Sequence, residues 1–161
     1  MKFLPQNWQW ERTQIMVILQ RKFNFTIIIM NAFNPLPHGL EPEERNLVLK
    51  ERLDKLTAET EFYMQKRINM DEVAAMLSTN RTYLSRMMNN VKGCSFTEFI
   101  NGKRLEKAYE LFSTPGYMNS HSISELAADC GFASVATFRR AFVKKYDFTP
   151  LSYVKRNGYK K

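Results

Sequence analysis

One segment of this chain occurs twice, and that duplication constrains the fold more than any other feature. Glu72-Val73-Ala74-Ala75 returns fifty-three positions later as Glu125-Leu126-Ala127-Ala128. With one residue added in the intervening turn, Tyr83-Leu84-Ser85-Arg86 returns fifty-four positions on as Thr137-Phe138-Arg139-Arg140. The register persists through Gly93-Cys94-Ser95-Phe96-Thr97-Glu98-Phe99 and Asp147-Phe148-Thr149-Pro150-Leu151-Ser152-Tyr153. Both copies run in the same order: apolar residue, alanine, apolar residue, turn, polar helix with a basic stripe, then a break at glycine or aspartate. A short period that occurs only twice marks a duplicated unit rather than a solenoid.

The unit reads as a helix-turn-helix. Asn69 or Asp71 can cap a first helix that buries Val73, Ala74, Met76 and Leu77. Ser78-Thr79-Asn80 interrupts it, and Asn80 can cap a second helix running from Arg81 to Lys92. That helix is predicted to bury Leu84, Met87, Met88 and Val91 and to present Arg81, Thr82, Ser85, Arg86 and Asn89 to solvent. Ala74 and Ala127 stand where the two helices cross closely, so a larger side chain would force them apart. A polar, basic second helix has the diameter to enter a B-DNA major groove. The helix-turn-helix pattern alone is common to many three-helix cores. Two copies in register, with Arg86 and Arg140 at equivalent positions, are far more specific.

Between the copies, Phe96 to Phe112 reads as one continuous helix burying Phe99, Leu105, Ala108, Tyr109 and Phe112. Its seventeen residues give a rod of roughly 25 Å. A rod of that order can hold two reading helices near the separation of successive major-groove turns, about 34 Å. Upstream, Glu41-Pro42-Glu43-Glu44 looks like a helix start, with proline in the first turn and acids at the positive end of the dipole. Leu47, Leu49, Leu53, Leu56 and Phe62 follow as its apolar positions. Asn34-Pro35-Leu36-Pro37-His38-Gly39 is the clearest boundary, because neither helix nor central strand continues through it. The expected organisation is therefore an N-terminal extension over residues 1–40, a leading helix over 41–60, and a double helix-turn-helix unit over 61–158.

The extension contains the most apolar stretch, Ile15–Phe33. A membrane span needs roughly 20 largely uninterrupted apolar residues. Here Gln20-Arg21-Lys22, Asn24 and Asn31 cut the run, and no unbroken apolar run suits a secretory signal either. Two short strands around Gln20-Arg21-Lys22 fit better; a further reading is the remnant of a larger upstream module, and the plainest is a structural or poorly ordered extension. Lys160-Lys161 reads as a frayed tail.

Charge narrows the partner. The 161 residues carry 24 Lys plus Arg against 16 Asp plus Glu, a formal +8. Residues 68–161 hold fourteen basic and eight acidic side chains, so most of the excess sits in the duplicated part. Such a balance favours a polyanion, nucleic acid or anionic membrane. The basic residues lie in capped, core-forming helices rather than opposite a broad apolar face, which argues against a membrane for the C-terminal part. Two cysteines, Cys94 and Cys130, are too few for a disulfide scaffold. Both read as small buried hydrophobes, since no activating neighbour is evident. His38 and His121 are too far apart to begin a metal cluster. No nucleophile–base pair or phosphate loop is present, so neither an enzyme nor a cofactor is expected.

The motifs Asp71-Glu72-Val73-Ala74, Tyr83-Leu84-Ser85-Arg86, Gly93-Cys94-Ser95-Phe96 and Arg104-Leu105-Glu106-Lys107-Ala108 resemble the AraC family of bacterial transcription regulators. So do Ile123-Ser124-Glu125-Leu126-Ala127, Cys130-Gly131-Phe132 and Phe148-Thr149-Pro150-Leu151-Ser152-Tyr153. The resemblance spans Glu61 to Arg156 and is most similar to Bacteroidetes-type members, whose DNA-binding part often follows a sensor or membrane module. It implies an all-α, seven-helix domain with two helix-turn-helix subdomains on a long linker helix, reading asymmetric sites without a cofactor or metal.

Residue by residue, the resemblance places Arg81, Thr82, Ser85 and Arg86 at base edges from the first recognition helix. It places Ser134, Val135, Ala136, Arg139 and Arg140 there from the second. An arginine can donate two bonds to guanine O6 and N7, worth about 1–3 kcal/mol of discrimination. Val135 and Ala136 are expected to contribute more by apolar contact than by hydrogen bonding. Asn89, Lys92, Lys144, Lys145, Lys155 and Arg156 are candidates for phosphate contact. Tyr83, Phe138, Phe142 and Tyr146 read as core rather than as base-stacking platforms. The bland alternative for Arg86 and Arg140 is pairing with nearby acids on the surface.

Three departures from the family pattern stand out. Ser78 and Asp147 occupy turns where glycine is usual, which predicts strained backbone. Ser113–Ser122 is longer than usual. The chain also leaves no room for the customary ligand-binding domain, and its effector or sensor module is unknown. The expected function is a cytoplasmic, sequence-specific, DNA-binding transcription regulator, with RNA polymerase as a further partner. The alternative is the DNA-binding output fragment of a larger membrane or two-component signalling protein.

Overall fold

A computed structural model describes residues 36–156 apart from His38. The expected strands around Gln20-Arg21-Lys22, the rest of the extension before residue 36 and the Lys160-Lys161 tail lie outside the described residues. No strand occurs among the described residues, and the architecture is all-α.

Helix α1 (Pro42–Glu59) begins as its sequence predicts, with Pro42 in the first turn and Glu43 and Glu44 beside the positive end of the dipole. A short 3-10 turn (Phe62–Met64) leads to α2 (Met70–Met76) and then α3 (Arg81–Met87). Helix α3 runs on through one wide π turn, Met88–Lys92. The linker helix α4 (Phe96–Ser113) ends one residue beyond the predicted limit. Next come α5 (Tyr117–Ser120), α6 (Ile123–Asp129), α7 (Val135–Tyr146) and α8 (Pro150–Arg156). The long loop before Ser122 thus holds a helical turn of its own, and Met118 from that turn is buried in the second core.

Two hydrophobic cores form, and α4 threads both. In the first, Leu49, Leu53 and Leu56 of α1 meet Phe62, Val73, Ala74, Leu84, Met87 and Ile100. The leading helix therefore folds as part of the first unit. In the second, Leu105, Ala108 and Phe112 of α4 meet Leu126, Ala127, Cys130, Phe132, Phe138 and Phe142. Phe142 lies 5.9 Å from Phe112 and 5.6 Å from Phe138 between ring centroids, in edge-on and tilted contacts that add to the burial. Ala74 and Ala127 are both buried at the helix crossings.

Some expected core positions are not core. Leu47 lies 56 % exposed, because it stands on the opposite side of α1 from the Leu49–Leu53–Leu56 stripe. Val91 is 37 % exposed, since the π turn gives Met88 the core position and rotates the following residues outward. Tyr109 is 46 % exposed, lying over Tyr146 and Tyr153 from outside the second core. Phe99, Tyr83 and Tyr146 are half-buried, packed at the core margins.

Candidate nucleic-acid interface

Helices α3 and α7 are launched by the same local chemistry. Asn69 caps α2 by accepting hydrogen bonds from the backbone N–H groups of Asp71 and Glu72, while the Asn69 N–H donates to the Glu72 carboxylate. Ser122 and Glu125 make the same reciprocal box at the start of α6. Asn80 then caps α3 through the Tyr83 N–H, and Ser134 caps α7 through the Thr137 N–H. The intervening turns also match: the Thr79 N–H donates to the Ala74 carbonyl, and the Phe132 N–H to that of Ala127, each at 2.9 Å. Beyond Phe132 the second copy holds one more residue, Ala133, which is where the offset changes.

These turns need one residue with positive φ, at Ser78 (53°) in the first copy and Gly131 (79°) in the second. Gly93 (64°) and Asp147 (60°) form the corresponding pair after α3 with its π turn and after α7. The predicted backbone strain is thus present at both non-glycine positions. Gly131 has an additional reason to be glycine. A Cβ there would lie 2.2 Å from the carbonyl oxygen of Met64, a backbone atom of the first unit.

On the outer face of α3, Arg81, Thr82, Arg86 and Asn89 are exposed and Ser85 is half-buried. Arg81 is turned back onto Asp71, 2.9 Å away. On α7, Ala136, Arg139 and Arg140 are exposed and Val135 is half-buried; the Ser134 hydroxyl is engaged with Thr137. Arg86, Arg139 and Arg140 make no ion pair with the described residues. Phe138 and Phe142 are fully buried, as predicted. At the far end, Lys155 and Arg156 are exposed at the close of α8, and Arg156 sits over the Phe148 ring.

The three other lysines proposed for phosphate contact already have carboxylate partners. Lys92 is paired with Asp54 of α1, and its side chain is only 20 % exposed. Burial works against ionisation of Asp54, but hydrogen bonds from Lys92 and Lys50 outweigh it and hold its pKa below the usual carboxylate value. Lys144 donates to Glu98 at 2.7 Å, and Lys145 reaches Glu106 at 3.3 Å. The hydrogen bond from Lys144, assisted by the Ser95 backbone and hydroxyl, lowers the Glu98 carboxyl to about 2. Glu98, Lys144 and Lys145 border an open cleft of about 560 Å³ between α4 and α7, which Arg140 also lines.

Three comparisons bear on this arrangement. A family profile described as a helix-turn-helix domain matches residues 73–156. The probable transcription factor PqrA of Proteus vulgaris is 30% identical over 100 residues, covering 62% of this chain and 78% of its own length. The chain belongs to the AraC family.

Solved members of similar fold include the C-terminal domain of AraT, a response regulator from Geobacillus stearothermophilus. It aligns with a TM-score of 0.55 at 27% identity, over 68% of this chain and 84% of that one. The DNA-binding domain of AdpA, solved in complex with a target DNA, aligns with a TM-score of 0.55 at 19% identity, over 68% and 98%. As an AraC family member, the chain is a DNA-binding transcription regulator. Its relatives are themselves transcription regulators. Among the described residues no helix is long and apolar enough to cross a membrane.

Sequence reasoning gave no role to Arg104. It is 7 % exposed on α4, and its guanidinium donates to the Tyr63 carbonyl at 2.6 Å and the Gln65 carbonyl at 2.7 Å. Burial lowers its pKa from the ordinary value, yet arginine starts so high that it stays charged. The available signal was its place in the row Ile100, Arg104, Ala108, Phe112, four residues apart each time and otherwise apolar. Cys130 fulfils its reading as a buried hydrophobe, with burial raising its thiol to about 12, whereas Cys94 is only half-buried.

Proposed function

We propose that α3 and α7 enter successive major-groove segments of one asymmetric DNA site, so that a single chain reads two blocks. The observation that carries this reading is the paired construction: two helix-turn-helix units capped at equivalent positions, each offering an unpaired, exposed arginine at the same position, Arg86 and Arg140. Arg86 is assigned to base readout together with Thr82 and Ser85, and Arg81 joins them by exchanging Asp71 for DNA. On α7, Arg139 and Arg140 supply the hydrogen bonds, while Ser134, Val135 and Ala136 face the groove at its reading end. Asn89, Lys144, Lys145, Lys155 and Arg156 take phosphates, and Lys92 does so on leaving Asp54. The DNA-reading unit is residues 61–158, with the leading helix over 41–60 completing its first core and residues 1–40 as an extension. The chain acts in the cytoplasm, with RNA polymerase as its regulatory partner and no chemistry of its own.

The test is selection of bound fragments from a genomic library in roughly 150 mM salt with excess random DNA. Enrichment of one asymmetric motif, with two short blocks about one helical turn apart, is the expected result. Weak, uniform binding that vanishes with salt would overturn two-block reading. A second reading is favoured by the likeness to the C-terminal domain of a response regulator. In it, this chain is the DNA-binding output end of a larger membrane or two-component signalling protein, using the same contacts.

A further inference from the structure

We infer that Arg104 is a positioning residue that fixes the spacing and rotation at which the two recognition helices meet DNA. The inference rests on the two-block reading above. A buried guanidinium with no carboxylate partner is costly unless its donors are met. Here they are met by backbone carbonyls of the turn that leads into α2 of the first unit, at Tyr63 and Gln65. The other side of the same guanidinium lies 5.6 Å from the ring centroid of Phe132, in the turn that aims α7. Next to Phe132, Gly131 packs so closely under the Met64 carbonyl that no side chain fits between them. Arg104 thus stands where the turn preceding α2, the middle of α4 and the turn preceding α7 converge.

Ion pairs also cross this region: Lys107 of α4 reaches Glu61, beside the same turn, at 2.9 Å, with side chains 28 % and 49 % exposed. The Lys144–Glu98 pair is 74 % and 50 % exposed, and such surface pairs hold geometry poorly. Helix α4 sets a length, but rotation of the second unit about the α4 axis has to be stopped by contacts to its side. Arg104 adds to them, beside the packing of Leu105, Ala108 and Phe112 into the second core, by tying the middle of α4 to the Tyr63 and Gln65 carbonyls. DNA is sensitive at this scale, since one added base pair moves the second block by about 3.4 Å and rotates it by about 34°. Lysine in place of arginine keeps the charge but cannot reach two carbonyls with one planar fork.

The experiment measures binding of the full chain to duplexes carrying both selected blocks at the preferred spacing, with one or two base pairs added or removed. Single-block duplexes serve as controls. The wild type is expected to show a sharp optimum. R104K and R104M are expected to lose about tenfold at that optimum, about 1.4 kcal/mol. Off-optimum and single-block affinities should stay within about twofold of wild type, which flattens the profile. A purely structural role would lower all duplexes by the same factor and leave the profile sharp, and that result would overturn the inference. Collapse of both variants in a melting control would also count against it, by assigning Arg104 to folding. If the wild type itself shows no optimum, the two-block reading fails and takes this inference with it.

Discussion

On the two-block reading, the exposed arginines and the buried one divide the work of recognition at single positions. Arg86 projects from α3 with no ion pair among the described residues, so its removal costs the fold little. Arg86→Ala is expected to weaken the selected site by about 1–3 kcal/mol and to relax preference at one base pair. Lys144→Ala should weaken specific and random duplexes alike. Equal losses on both DNAs for both variants, measured by competition binding, would remove Arg86 from base readout. The duplicated turns offer a second residue-level test. Asp147 holds φ at 60° where its counterpart is Gly93, and a non-glycine residue pays roughly 1–2 kcal/mol in that region. Glycine returns part of that gain through the unfolded chain, so Asp147→Gly is expected to stabilise by about 0.5–1 kcal/mol in denaturant melts. At Gly131 the reverse substitution to alanine should be severely destabilising, because the obstructing atom is backbone.

At the scale of elements, the helix starts carry the fold's local specification. Ser122→Ala removes the acceptor for the Glu125 N–H and is expected to cost about 1 kcal/mol, measurable as a lower denaturation midpoint with unchanged slope. The helices, their breaks and the duplication were legible in the sequence because caps, alanine crossings and apolar spacing are local signals. Asn69, Asn80 and the run from Phe96 declared themselves in this way. What was not legible depended on neighbours distant in the chain. Val91 has perfect α-helical spacing from Leu84 and Met88, and nothing local announces the wide turn that moves it outward. Tyr109 and Phe112 lie on similar phases of α4, but only tertiary packing decides that the second fills the core and the first covers it. The candidate base-reading positions were visible as polar residues on an apolar-faced helix. The carboxylates facing Lys92, Lys144 and Lys145 were not, because Asp54, Glu98 and Glu106 lie about forty positions away.

Across the whole molecule, the pairs between α4 and α7 tie stability to pH. Glu98 is lowered from 4.5 to about 2, so its folded state binds a proton less readily than its unfolded state. Its contribution is therefore complete above about pH 4.5 and disappears as pH falls toward 2. Thermal melts across that window should show the wild type losing more stability than E98Q, in which glutamine keeps the capping box but lacks the charge. The same variant has a consequence on DNA. Glu98 and Glu106 occupy Lys144 and Lys145 until something more strongly anionic displaces them, so random duplex gains less from those lysines than a formal +8 implies. E98Q should bind random DNA more tightly, with a salt dependence steeper by about one phosphate. A regulator that clings to every sequence spends its time on the wrong ones. On the two-block reading, the two carboxylates beside α7 are expected to shorten each unproductive stop and so to quicken the search for a site beyond what charge alone would allow.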